Sequence, residues 1–88
     1  MYTLKVDRST AALYYAWEFG SKRAAVKMSK LEGELVPIVW DWACKDGAFH
    51  KKKDAQEIGE RVRSVASFQL GRLGKPLASQ IILIEKVQ

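Results

Sequence analysis

Hydrophobic and polar positions alternate at the start of the chain: Tyr2, Leu4 and Val6 on one side, Thr3 and Lys5 on the other. A period of two sends successive side chains to opposite faces of an extended backbone, so this segment predicts a half-exposed strand. Asp7-Arg8-Ser9-Thr10 follows as a polar break rich in turn formers.

Residues 11–19 fit two periods. As a strand, Leu13, Tyr15, Trp17 and Phe19 share a face. As a helix, Leu13, Trp17, Ala24, Met28 and Leu31 form a stripe that must pass through Gly20. Glycine inside a helix costs about 1 kcal/mol relative to alanine. That cost and the aromatic-rich alternation favour a strand here, with the helix as the alternative.

Ser21 is placed to cap a helix. Ala24, Ala25, Met28 and Leu31 give that helix a narrow apolar face, and Gly33 supplies its stop. Residues 35–44 alternate again, with Val36, Ile38, Trp40, Trp42 and Cys44 on one face, and predict a strand with Pro37 near its start. Lys45-Asp46-Gly47 is a hairpin turn signal, and residues 48–52 would return as a short strand. From Asp54, read as a cap with Glu57 three residues on, apolar residues recur at helical spacing: Ala55, Ile58, Val62, Val65, Ala66, Leu70 and Leu73. Gly74 and Pro76 end this helix. Residues 80–87 form a last strand. Ile81-Ile82-Leu83-Ile84 makes it apolar on both faces, the pattern of a strand inside a sheet.

The order predicts an α+β fold: a largely antiparallel sheet with two helices on one face. Two plans satisfy it. Phe19-Gly-Ser-Lys22-Arg23-Ala-Ala25 echoes Phe49-His-Lys-Lys52-Lys53-Asp-Ala55, which fits two ββα units and a closing strand. If residues 11–19 are helical, the order is β-α-β-β-α-β, a ferredoxin-like plan.

The 88 residues fit a single domain, residues 1–88, with one core. No apolar stretch approaches the ~20 residues needed to span a bilayer, and the N-terminus lacks a signal peptide's basic and apolar regions. Cys44 is the one cysteine. It can form neither an internal disulfide nor a cysteine-based zinc site, and it fits a reducing, cytoplasmic setting.

The candidate chemistry is thin. His50 is the one histidine, so any Ser-His-Asp or Cys-His pair must use it. It lies among Lys51, Lys52 and Lys53, whose charge disfavours its protonation. Asp41, Asp46 and Asp54 complete no metal shell around it. Gly71, Gly74 and Lys75 follow a helix rather than a strand, so they are not a phosphate loop. The expectation is a protein with no catalytic residue, no metal and no cofactor.

The positive charge, by contrast, is grouped. Fifteen Lys and Arg face ten Asp and Glu, a net charge of +5. Lys22, Arg23, Lys27 and Lys30 have no acid among them, and Arg23, Lys27 and Lys30 share a helix face. Lys45, Lys51, Lys52 and Lys53 form a second group, and Arg61, Arg63, Arg72 and Lys75 a third, offset by Glu57 and Glu60. The expected binding surface is Lys22, Arg23, Lys27 and Lys30 with Lys51, Lys52 and Lys53, facing a nucleic acid or nucleoprotein complex. The alternative is a small inhibitor or adaptor, encoded by a phage or mobile element, that docks on a host protein complex.

Overall fold

The computed structural model describes residues 1–44, 46–75 and 80–87. The chain runs β1 (Tyr2–Asp7), α1 (Arg8–Phe19), α2 (Ser21–Ser29), β2 (Leu35–Pro37), α3 (Lys52–Arg72) and β3 (Ile82–Lys86). The fold is α+β, as the patterning predicts, with a three-stranded antiparallel sheet in the order β2-β1-β3.

β1 is the central strand. Its register sets Leu4 opposite Ile84, and Val6 opposite both Ile82 and Val36, so these side chains share one face. Helices α1 and α3 pack on the sheet, whereas α2 packs on α1 alone among the described elements. The core joins Leu4, Val6, Val36 and Ile38 of the sheet side to Tyr14, Tyr15, Ile58 and Val62 of the helices, with Phe49 fully enclosed. At Gly59, α3 comes so close that an added Cβ would lie 3.3 Å from Ile82 and 3.6 Å from Leu4.

Asp7 turns the chain from β1 into α1. Its Oδ2 accepts from the Thr10 N–H at 3.1 Å and the Ser9 hydroxyl at 2.8 Å. Its Oδ1 accepts from the Thr10 hydroxyl at 2.7 Å and from the Ile81 N–H at 3.0 Å. The helix cap is thereby tied to the start of β3.

The favoured strand over residues 11–19 is corrected to helix α1. Burial falls on Ala11, Tyr14 and Tyr15, at helical spacing. Each tyrosine also finds a polar partner: the Tyr14 hydroxyl donates to Asp41 Oδ2, and the Tyr15 hydroxyl accepts from the Val39 N–H at 3.1 Å. The helix does not run through Gly20. That residue, at φ 87° and ψ 154°, closes α1 through its N–H to Ala16 O and opens α2 through its C=O to the Ala24 N–H. Ser21 is therefore the first residue of α2 and makes no cap.

The strand expected over residues 35–44 is Leu35–Pro37 alone. Ile38 still donates to Leu4 O, but the next donor, Val39 N–H, goes to Tyr15, which ends the ladder. Among the described residues the returning strand shrinks to the bridge of Phe49 with Tyr2. Asp46 and Gly47 do adopt positive φ, 54° and 78°, so a turn forms without a hairpin around it. Helix α3 starts at Lys52 with Lys51 as an uncapped flank, which leaves Asp54 in its first turn rather than at its cap. The echo between Phe19 and Phe49 marks no duplication, since one ends a helix and the other forms a bridge. The last strand is not internal but an edge, with Ile81 and Leu83 exposed. Pro76 lies outside the described residues.

Candidate functional site

Helix α2 buries Ala24 and Met28 against α1 and turns its remaining side chains outward. Its far end is held by Arg8, whose guanidinium donates to the carbonyls of Met28, Leu31 and Gly33. The cation thus sits at the negative end of the helix dipole and shares the Met28 carbonyl with the Leu31 N–H.

On the outward side, Lys22, Arg23, Lys27 and Lys30 surround Val26 and line one shallow hollow of about 310 Å³. Val26 is 58% exposed, so the floor of a cationic ring is apolar. No acidic residue lies in α2, and Lys22 and Arg23 occupy its first turn, against the helix dipole. The one ion pair among the described residues is elsewhere, between Arg61 and Glu18 at 2.5 Å.

The four cations differ in freedom. The Lys27 ammonium lies 4.5 Å from the Phe19 ring centroid and 4.6 Å from that of Trp40. Trp40 in turn packs edge-on against Tyr15 at 5.4 Å. Lys27 thus clasps α2 to the end of α1 and to the segment after β2, a cation–π contact worth about 1 kcal/mol. Lys22, Arg23 and Lys30 are exposed. Lys51, Lys52 and Lys53 are exposed at the start of α3, beside the Phe49–Tyr2 bridge. Among the described residues α3 does not pack on α2, so the structure gathers the α2 cations into one patch and leaves the lysine triplet as another.

The remaining candidates are placed as follows. His50 is exposed between the bridge and α3. Cys44 is half-buried, and burial pushes its thiol up, away from thiolate. Burial likewise raises the Tyr15 phenol to about 12. Tyr14 is raised further, by burial and then by its bond to Asp41. No cluster of three His, Cys, Asp or Glu side chains forms among the described residues. Trp42 is 74% exposed, so Trp40 and Trp42 share no strand face.

Sequence reasoning missed one further patch. Trp17, 47% exposed rather than packed in the core, meets Phe68 edge-to-face at 5.4 Å, and the Arg72 guanidinium lies 6.0 Å from Phe68. The signal was present in the spacing: once residues 11–19 are helical, burying Tyr14 and Tyr15 leaves Trp17 off the inner face.

Comparison of the chain with protein-family models, with curated proteins and with solved structures finds no match.

Proposed function

We propose that this chain is a non-catalytic binding protein whose α2 face docks on the phosphate backbone of a nucleic acid, free or within a nucleoprotein complex. One observation carries the reading. Lys22, Arg23, Lys27 and Lys30 ring a single hollow, with no acid in their helix and no ion-pair partner among the described residues. Lys22 and Arg23, unpaired in the first turn of α2, oppose its dipole and cost the isolated fold a little, and an anion repays it. The half-buried, unpaired Cys44 suits a reducing, cytoplasmic compartment.

Lys22, Arg23 and Lys30 are free to meet phosphates, and each contact should add about 0.9 to the slope of log K against log salt for duplex DNA. The experiment is a salt titration of wild type and a Lys22→Glu/Arg23→Glu/Lys30→Glu variant against duplex DNA, single-stranded DNA and RNA. Lys27 is left in place because it also holds the fold. The variant should bind at least tenfold more weakly at low salt and lose about 3 from the slope. Wild type that binds none of the three at low salt removes the nucleic-acid reading.

The second reading, an inhibitor or adaptor that docks on a host protein complex, draws on the exposed Trp17–Phe68 pair beside Arg72. Trp and Arg are the side chains that most often anchor protein interfaces. Trp17→Ala and Phe68→Ala would abolish such docking while sparing nucleic-acid binding.

A further inference from the structure

The geometry points to self-association: two copies of this chain join through the edge of β3 that no described strand occupies, giving one six-stranded antiparallel sheet. The first observation is a mismatch between sequence and position. Ile81-Ile82-Leu83-Ile84 has the two-sided apolar pattern of an internal strand, yet β3 lies at the edge of the sheet. Ile81 is 54% and Leu83 38% exposed. The segment 81–87 has no proline, and its charges are Glu85 and Lys86 at one end, so the usual protection of an edge is slight.

The second observation is the direction of the unused backbone groups. Val87 donates to Met1 O, and the Met1 amino group to Val87 O, while Asp7 donates to Ile81 O. With the β1–β3 register, residues 81, 83, 85 and 87 spend their groups on β1. The N–H and C=O of Ile82, Ile84 and Lys86 therefore face outward, and among the described residues no strand pairs with them.

Charge and shape select the partner. In an antiparallel pair centred on Ile84, Ile81 lies opposite Val87 of the second copy at both ends, and Leu83 opposite Glu85. No like charges meet. Centring on Glu85 or Lys86 would set like charges face to face.

The helix layer agrees with this arrangement. Gly59 sits over both Ile82 and Leu4, so α3 lies above the gap between β3 and β1. With strands about 4.8 Å apart, that gap is about 5 Å from the two-fold axis. The two α3 helices would run about 10 Å apart, the separation of packed helices. Each would fill the hollow beside β3 lined by Gln56, Gly59, Glu60, Arg63, Ile82 and Ile84. Helix α3 starts beside Tyr2 and Lys86, and moving from Ile82 to Ile84 goes back about one turn along it. Gln56 therefore lies at the axis, and Glu60 faces Lys53 of the second copy.

Sedimentation equilibrium and light scattering on the whole chain at submillimolar concentration test this. Wild type should show twice its 10.0 kDa mass. Lys86→Pro removes an outward N–H that β1 does not use, at an exposed position, and deletes two symmetric bonds, weakening the dimer about thirtyfold. Glu60→Lys should also weaken it, and adding Lys53→Glu should restore it; both sites are on the helix surface, so circular dichroism should not change. A wild type that stays monomeric, or a dimer indifferent to both Lys86→Pro and Glu60→Lys, overturns the inference. A strand from another protein bound at this edge to a monomeric wild type overturns it equally.

Discussion

Removing the Asp7 side chain should cost the fold more than half its stability. Asp7→Ala deletes the cap of α1, worth about 1 kcal/mol. It also strips the Thr10 hydroxyl of its acceptor, and Thr10 is 3% exposed, so a buried donor is orphaned at about 1–2 kcal/mol. The bond from Ile81 N–H is exposed, and water can replace it at about 0.5 kcal/mol. The sum is about 3 kcal/mol, against about 5 kcal/mol for a domain at the low end of natural stabilities. The pH dependence has a definite sign. Burial alone would raise the Asp7 carboxyl, but the bonds from Thr10, Ser9 and Ile81 outweigh it and hold the group below its usual range. A carboxyl depressed in the folded state stabilises above its unfolded value, near 3.9, and the stabilisation is lost as pH falls through the folded value. Asp7→Asn should thus differ from wild type by a constant amount from neutral pH down to about 5, and the gap should close in more acid solution. Urea unfolding followed by circular dichroism at a series of pH values reads both effects. A loss below about 0.5 kcal/mol in Asp7→Ala, or a gap that widens on acidification, would refute the reasoning.

Gly20→Ala should cost about 1–3 kcal/mol, because φ 87° with ψ 154° is a region that side chains avoid even though the space around Gly20 is open; a stabilised variant in the same urea assay would show that the hinge relaxes. Phe49→Ala empties a fully buried site and should cost about 3–5 kcal/mol, leaving about 0–2 kcal/mol of stability, which the same urea assay reads as a midpoint moved close to zero denaturant. Lys27→Ala should cost about 1 kcal/mol and change Trp fluorescence through Trp40, whereas Lys30→Ala should do neither; equal effects would mean that the ring contacts of Lys27 contribute nothing.

Strand β1 and helix α3 were legible because their periods are unambiguous. β1 alternates strictly, and α3 carries its apolar residues on one stripe for five turns. Residues 11–19 were not legible, since nearly every position is apolar and either period finds a face. What decides is the pair of tyrosine hydroxyls, whose partners Asp41 and Val39 are distant in sequence. The same bond explains why the alternation of residues 35–44 does not become a long strand. The cationic face of α2 was readable from spacing, but the role of Lys27 was not. Its rings come from Phe19 and Trp40, on two other segments. Nor does any local pattern place Lys51–Lys53 relative to α2, because that depends on how α3 crosses the sheet.

The pairing of β1 with β3 has a consequence for how the protein is made. The strand synthesised first is the middle of the sheet, and Tyr2 waits for Lys86 before that side of the ladder can close. A ribosome adding about 5–20 residues per second takes several seconds to cover the distance. During that interval the α1–α2 hairpin can form from local contacts, but Leu4 and Val6 stay uncovered on one flank. The nascent chain therefore carries an open template until β3 is made, and the closing segment is an apolar strand with high pairing tendency of its own. A pause in translation upstream of residue 80 would lengthen that exposure and favour aggregation over folding.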